Sequence, residues 1–245
     1  MATKWLLSNA NRELAANGIF TWSIPALSAK TSNDKFVLTC PNAGSCARLC
    51  YARVNSYQFP SVKAAHLRNL EMVLDDLELW KSRMLEELQR KRYQIKYHDE
   101  QPQNAKVRIH DAGDFFNADY FAAWLQIALL SPHVFFYAYT KEVLMVKNWV
   151  AANGPLPDNF VVIYSMGGKQ DKFIDKEIDR HAEVFPDEQS LILAGYTNQE
   201  ENDLLAATLP TNKIGIVANN IPHLKKRQGF QTFGSLQEQR NGILS

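Results

Sequence analysis

Two hydrophobic periods alternate along the chain. Residues 60–92 carry Leu67, Leu70, Val73, Leu74, Leu77, Met84 and Leu88 at helical spacing, and Pro60 suits a first turn, so a long helix is predicted there. Short apolar runs rich in β-branched and aromatic residues stand at 34–40 (DKFVLTC), 106–110 (KVRIH), 133–140 (HVFFYAYT), 159–165 (NFVVIYS), 190–197 (SLILAGYT) and 213–220 (KIGIVANN). Runs of that length and composition predict strands. Between them the pattern predicts helices over 117–131, capped by Asn117, over 141–154, closed by Gly154, near 171–184, and over 200–208.

Strands that are apolar on both faces belong to parallel sheets, and strand–helix alternation implies crossover connections. The expected fold is therefore α/β: a partial or complete (β/α) barrel of about six parallel strands, with an open doubly wound sheet as second choice. A chain of 245 residues suits one such domain. Residues 1–33 read as an N-terminal extension and 221–245 as a C-terminal one. The short basic cluster Lys225, Lys226, Arg227 reads as a solvated face.

Chemistry-bearing residues follow the predicted strands. KVRIH leads to Asp111, Ala112, Gly113 and Asp114; the 133–140 strand leads to Thr140 and Lys141. The 159–165 strand leads to Gly167 and Gly168, the 190–197 strand to Asn198, the last strand to Asn219 and Asn220, and the first to Cys40. In a parallel sheet these ends share one edge, where α/β proteins bind ligands. Plainer roles stand beside this one: the glycines as turns, Asp114 as a helix cap, Lys141 as a first exposed helical residue, His110 as a core histidine.

Charge narrows the partners. With 27 Lys and Arg against 26 Asp and Glu, the net charge of +1 argues against a surface that is basic throughout but leaves room for a local patch. No apolar run reaches a membrane span, and the first residues lack a signal-peptide pattern, so a reducing cytoplasm, bacterial or phage-infected, is expected.

All three cysteines fall within eleven residues, as Cys40, Cys46 and Cys50 in TCPNAGSCARLCYAR. An odd count cannot form a full disulfide framework. Three readings follow: thiols packed as small hydrophobes, a zinc site completed by His66, His98 or His110, or a [4Fe–4S] cluster held at three corners with one iron left open. The Pro, Asn, Gly, Ser and Arg between the cysteines are not a core-strand context and suit a loop wrapping a cluster, which is the favoured reading.

A three-cysteine loop after the first strand of an α/β barrel resembles the radical S-adenosylmethionine enzymes. The stretches TWSIPALSA, TCPNAGSCARLCYAR, VRIHDAGDFFNADYFAAW and FFYAYTK resemble, more closely, the phage-encoded gene product 88 family. The resemblance covers residues 20 to 145 best. The cysteine spacing departs from the usual radical pattern, and Tyr51 follows the last cysteine where an aromatic residue usually precedes it. The resemblance implies that Cys40, Cys46 and Cys50 ligate one cluster, whose fourth iron binds S-adenosylmethionine. It places Ala112, Gly113 and Asp114 at the methionine amino group, Tyr139, Thr140 and Lys141 at its carboxylate or the ribose, and Tyr51 against cluster or adenine. Gly167, Gly168, Asn198 and Asn219 would line the substrate side. An electron donor is then required, and a nucleotide, a nucleic-acid base or a protein side chain would suit as substrate. Two rivals remain: an iron–sulfur or zinc protein that binds nucleic acid or a host protein, and a metal-dependent hydrolase built on His110, Asp111 and Asp114.

Overall fold

The computed structural model describes residues 5–9, 14–15, 17–98, 101–199 and 201–244. Strands β1 (Ser8–Asn9) and β2 (Ile19–Trp22) precede a small hairpin, β3 (Ser28–Lys30) with β4 (Phe36–Leu38). The cysteine loop follows, with the one-turn helix α1 (Cys46–Leu49), and then α2 (Pro60–Asp75) and α3 (Leu77–Leu88). A second hairpin, β5 (Lys96–His98) with β6 (Gln101–Gln103), leads into β7 (Ala105–Ile109) and α4 (Ala118–Leu129). Next come β8 (Val134–Thr140), α5 (Val143–Asn153), β9 (Phe160–Ser165) and β10 (His181–Phe185). The chain continues through α6 (Glu188–Leu193), β11 (Thr197–Asn198), α7 (Leu205–Thr208), β12 (Lys213–Val217), α8 (Pro222–Gln228) and α9 (Phe233–Leu244).

Eight strands form one sheet in the order β1-β2-β7-β8-β9-β10-β12-β11. Only β1 runs antiparallel to its neighbour; every other pairing is parallel. Among the described residues no pairing joins β1 to β11, so of the partial or complete barrel expected the complete form is not seen there. The α/β class and the mostly parallel sheet are as predicted.

Several elements differ from the sequence pattern, each for a physical reason. The run at 34–40 is not a sheet strand: β4 belongs to the separate hairpin, and the first parallel strand is β2, inside the stretch expected to be an extension. The 190–197 run is mainly α6, whose N-cap Asp187 accepts from the Ser190 amide at 2.7 Å; Leu191 faces inward while Ile192 and Leu193 are exposed. Gly195, at φ 76°, ends that turn. The stretch near 171–184 holds β10 instead of a helix, because buried His181 and Glu183 hide its strand pattern. The long helix at 60–92 breaks at Asp76, which turns to extended backbone and caps α3 through the Leu79 amide at 2.9 Å. Of the helix expected at 200–208, the structure has Leu205–Thr208, and Glu200 lies outside the described residues.

Side chains alternate across the sheet and build a core on each face. On one face Phe136 and Ala138 of β8 join Trp22, Val107, Ile109 and Phe160 under α2, α3 and α4. On the other, Tyr137 joins Ile163, Ala182, Ile214 and Ala206. A tryptophan cluster fills the first face: Trp22 and Trp124 stand 5.5 and 5.1 Å from Trp80. At its margin buried Glu87 accepts from the amides of Leu6 and Leu7 and from the Tyr93 hydroxyl at 2.7 Å, tying the residues before β1 to α3. Removing that acceptor strands three donors. Glu87→Ala is expected to lower stability by about 3 kcal/mol in urea unfolding, with Glu87→Gln losing less.

Candidate functional site

The parallel strands end along one edge, and a cavity of about 700 Å³ opens there. Its wall includes Cys40, Cys46 and Cys50, Tyr51 and Tyr57, Arg108, the run His110–Asp114, Tyr139 to Lys141, and Asn219 and Asn220. Residues from the ends of β7, β8 and β12 and from the cysteine loop thus meet. Among the described residues no group of three or more His, Cys, Asp and Glu is placed to hold a single metal ion.

The cysteine loop is held from three sides. On the first, Cys46 N donates to Gly167 O at 3.1 Å, Lys169 N donates to Asn42 O at 2.9 Å, and Ala43 bridges Gly168. On the second, Glu142 accepts from the Asn42 amide at 3.1 Å and from its side chain at 2.6 Å. On the third, α9 closes over the loop: the Ser45 amide donates to Gln237 Oε1 at 2.6 Å and Arg240 donates to Gly44 O at 3.0 Å. Gly44 is required here, since a Cβ would lie 2.0 Å from Gln237 Oε1 and 2.8 Å from Gly167 O. The segment expected to be a C-terminal extension is therefore part of the loop's cradle.

The three thiols are free and half-buried. Burial pushes each above the ordinary thiol range, Cys50 to about 11, and the neighbouring Cys46 adds to that rise. Asp114 lifts Cys40 further, while Lys141 opposes the rise at Cys46. The Leu27 amide donates to Cys40 Sγ at 3.3 Å.

Asp114 is the joint between strand ends. Its buried carboxylate accepts from Thr140 Oγ1 at 2.6 Å, Phe115 N at 2.8 Å and Lys141 N at 3.0 Å, while its own amide donates to Thr39 O at 3.0 Å, one residue before Cys40. Thr140 is itself buried, and Lys141 directs its ammonium to Ser165 Oγ, Ser165 O and Met166 O at 2.6 to 3.1 Å, stapling β8 to β9. Ala112 donates to Ser23 Oγ and accepts from the Ile24 amide. Gly113, at φ 89°, lets the chain pass Ile24, whose Cγ1 would lie 2.3 Å from a Cβ. Gly167 and Gly168 support the loop from behind and donate to Asp171 at 2.7 and 2.8 Å; they are not on the cavity wall. Asn198 is also off the wall and donates to Glu188 at 3.0 Å. Asn219 stands on the wall, exposed.

A polar network that the strand-end pattern did not single out forms another part of the wall. Arg108 donates to Asp203 at 3.1 Å and to the Tyr51 hydroxyl at 3.2 Å, and lies over the Tyr139 ring. Tyr51 donates to Asp111 O at 2.7 Å, Tyr57 to the Asp111 carboxylate, and Tyr137 to Asp203. Burial works against the Arg108 charge, but Asp203, Tyr51 and Asp111 outweigh it and keep the guanidinium protonated. An arginine inside the apolar run KVRIH was the available signal; Asp203, in the polar run EEND, offered none. His110 is buried at φ 64°, bonds Tyr120 through Nε2 at 2.9 Å, and is pushed down to about 3 by burial, so it is neutral. Its Nδ1 has no partner.

Two outcomes follow from this geometry. Asp114→Ala, which strands three donors, is expected to cost about 3 kcal/mol in urea unfolding, and Asp114→Asn less. Burial raises Glu183, which accepts from the Gly234 amide at 3.0 Å at the start of α9, to about 7. Between its ordinary range near 4.5 and about 7 the folded state therefore holds the proton that the unfolded chain releases, so this group's contribution falls as pH rises through that window. Glu183→Gln is expected to flatten the stability–pH curve there, measured by urea midpoints at stepped pH.

Comparison with known proteins gives a family. The chain is 33% identical over 108 residues to the Gene 88 protein of Mycobacterium phage L5, covering 42% of this chain and 43% of that one. It is 32% identical over 108 residues to the Gene 88 protein of Mycobacterium phage D29, covering 42% of each. The match thus spans less than half the length of these relatives. No solved structure matches the chain significantly. The family model "Gene product 88" matches residues 5–243, nearly the whole chain, which therefore belongs to the Gene product 88 family.

Proposed function

We propose that this protein is a radical S-adenosylmethionine-like enzyme, with one [4Fe–4S] cluster on the loop of Cys40, Cys46 and Cys50. The observation that carries the reading is the convergence of three unbridged thiols on the wall of one large cavity at the C-terminal edge of a parallel sheet. Three soft sulfur ligands, with Cys46 near enough to raise Cys50, are the donor type that iron–sulfur clusters take. A zinc site on this loop would take its fourth ligand from a histidine. His66 is placed beside Tyr57, and His110 is occupied by Tyr120. The His98 side chain lies outside the described residues.

A cluster held by Cys40, Cys46 and Cys50 would supply one-electron chemistry toward reductive cleavage of S-adenosylmethionine, with the electron coming from an external donor. The chain's own part is to bind, orient and exclude water. The loop presents the sulfurs from a backbone fixed on three sides. The raised thiols release their protons on ligation, which makes loading favour higher pH. Asp114 and Lys141 hold the strand ends that form the floor, acting through the scaffold. The Arg108–Asp111–Asp203 network and its tyrosines give the cavity a fixed polar wall for orientation.

Protein purified without oxygen is expected to be brown, with about four irons per chain. S-adenosylmethionine should shift the electron paramagnetic resonance signal of the reduced protein. Cys46→Ala should lose the iron. A colourless, zinc-loaded protein, or an iron signal indifferent to S-adenosylmethionine, would overturn the assignment.

A further inference from the structure

Two stretches carry basic residues with no acid among them. Residues 35–70 contain Lys35, Arg48, Arg53, Lys63 and Arg68 and not one Asp or Glu; residues 204–237 contain Lys213, Lys225, Lys226 and Arg227 and again no acid. The fold brings parts of the two together at the cavity. Arg227 Nη1 donates to Arg48 O at 3.3 Å, joining α8 to α1. Arg53 follows the cavity-lining Cys50, and Lys225 lines the cavity itself. Arg48, Arg53, Lys225, Lys226 and Arg227 are all exposed, although the whole chain carries only +1.

Exposed aromatic rings accompany this charge. Gly229, at φ 62°, ends α8, and the next residue, Phe230, is 97% exposed. Phe59 is 59% exposed and stands two residues after the cavity-lining Tyr57. Cations that follow a phosphate backbone, combined with exposed rings that bases can stack on, are the equipment of single-strand binding. The cavity's acids Asp111, Asp114 and Asp203 are matched in number by Arg108, Lys141 and Lys225 on the same wall. At about 700 Å³ the cavity is large enough for a nucleotide.

We infer that the rim formed by α1, the 51–59 turns and α8 binds single-stranded nucleic acid, with phosphates on Arg48, Arg53, Lys225 and Lys226 and bases stacked on Phe230 and Phe59. That it presents a nucleotide to the cavity as substrate rests on the enzymatic reading above.

A labelled 20-nucleotide single strand, as DNA and as RNA, titrated with the full chain at stepped salt and read by fluorescence anisotropy, tests this. Lys225→Glu/Lys226→Glu is expected to weaken binding at least tenfold and to make the log K against log salt slope shallower by about 1.4, for two lost single-strand phosphate contacts. Phe230→Ala should weaken binding about tenfold at every salt. A second basic cluster, with Arg90 and Arg92 stacked on Trp5, serves as control: Lys91→Glu/Lys96→Glu should bind as the parent does. No binding at 50 mM salt, an unaffected Lys225/Lys226 variant, or an equal loss in the control would each overturn the inference. Iron content measured on the same preparations separates the two proposals. A cluster without nucleic-acid binding removes only this one, and binding by iron-free protein removes only the enzymatic reading.

Discussion

One buried carboxylate holds the candidate site together. Asp114 sits where β7 has ended, reaches across to the last residue of β8 and the first residue beyond it, and through its own amide fixes the residue before Cys40. Burying a carboxylate is costly unless donors surround it, and three do. Burial still raises the group, and those donors pull it back toward the ionised form. The floor of the cavity is thus as firm as this one set of hydrogen bonds.

A second tier of contacts depends on that joint. With Lys141 placed by Asp114, its ammonium reaches the carbonyls after β9. The chain beyond β9 turns at Gly167, whose carbonyl receives the Cys46 amide. Glu142, next to Lys141, takes both donors of Asn42. The order of support runs from strand end to lysine, to glycine turn, to cysteine loop, and each step has a backbone group on at least one side.

Sequence made the class and the working edge legible but left the closing contacts hidden. The apolar runs at 106–110, 133–140, 159–165 and 213–220 are strands because they are buried on both faces, and that same property revealed a parallel sheet. The run at 190–197 misled because a short apolar segment serves a helix as well as a strand, and only its cap and closing glycine distinguish them. β10 was hidden by His181 and Glu183, buried polar residues satisfied by Tyr196 and by the backbone of α9. The cysteines were plain from their crowding. Gln237 and Arg240, which grip their loop, lie in a stretch that reads as a C-terminal extension, because a long-range hydrogen bond leaves no local pattern.

The grip of α9 on the loop has a consequence in time. Ser45 and Gln237 are 192 positions apart. During synthesis the three thiols leave the ribosome long before the glutamine that closes over them has been joined to the chain. Any group delivered to these sulfurs early meets a loop open on that side, whereas in the finished fold α9 lies against it.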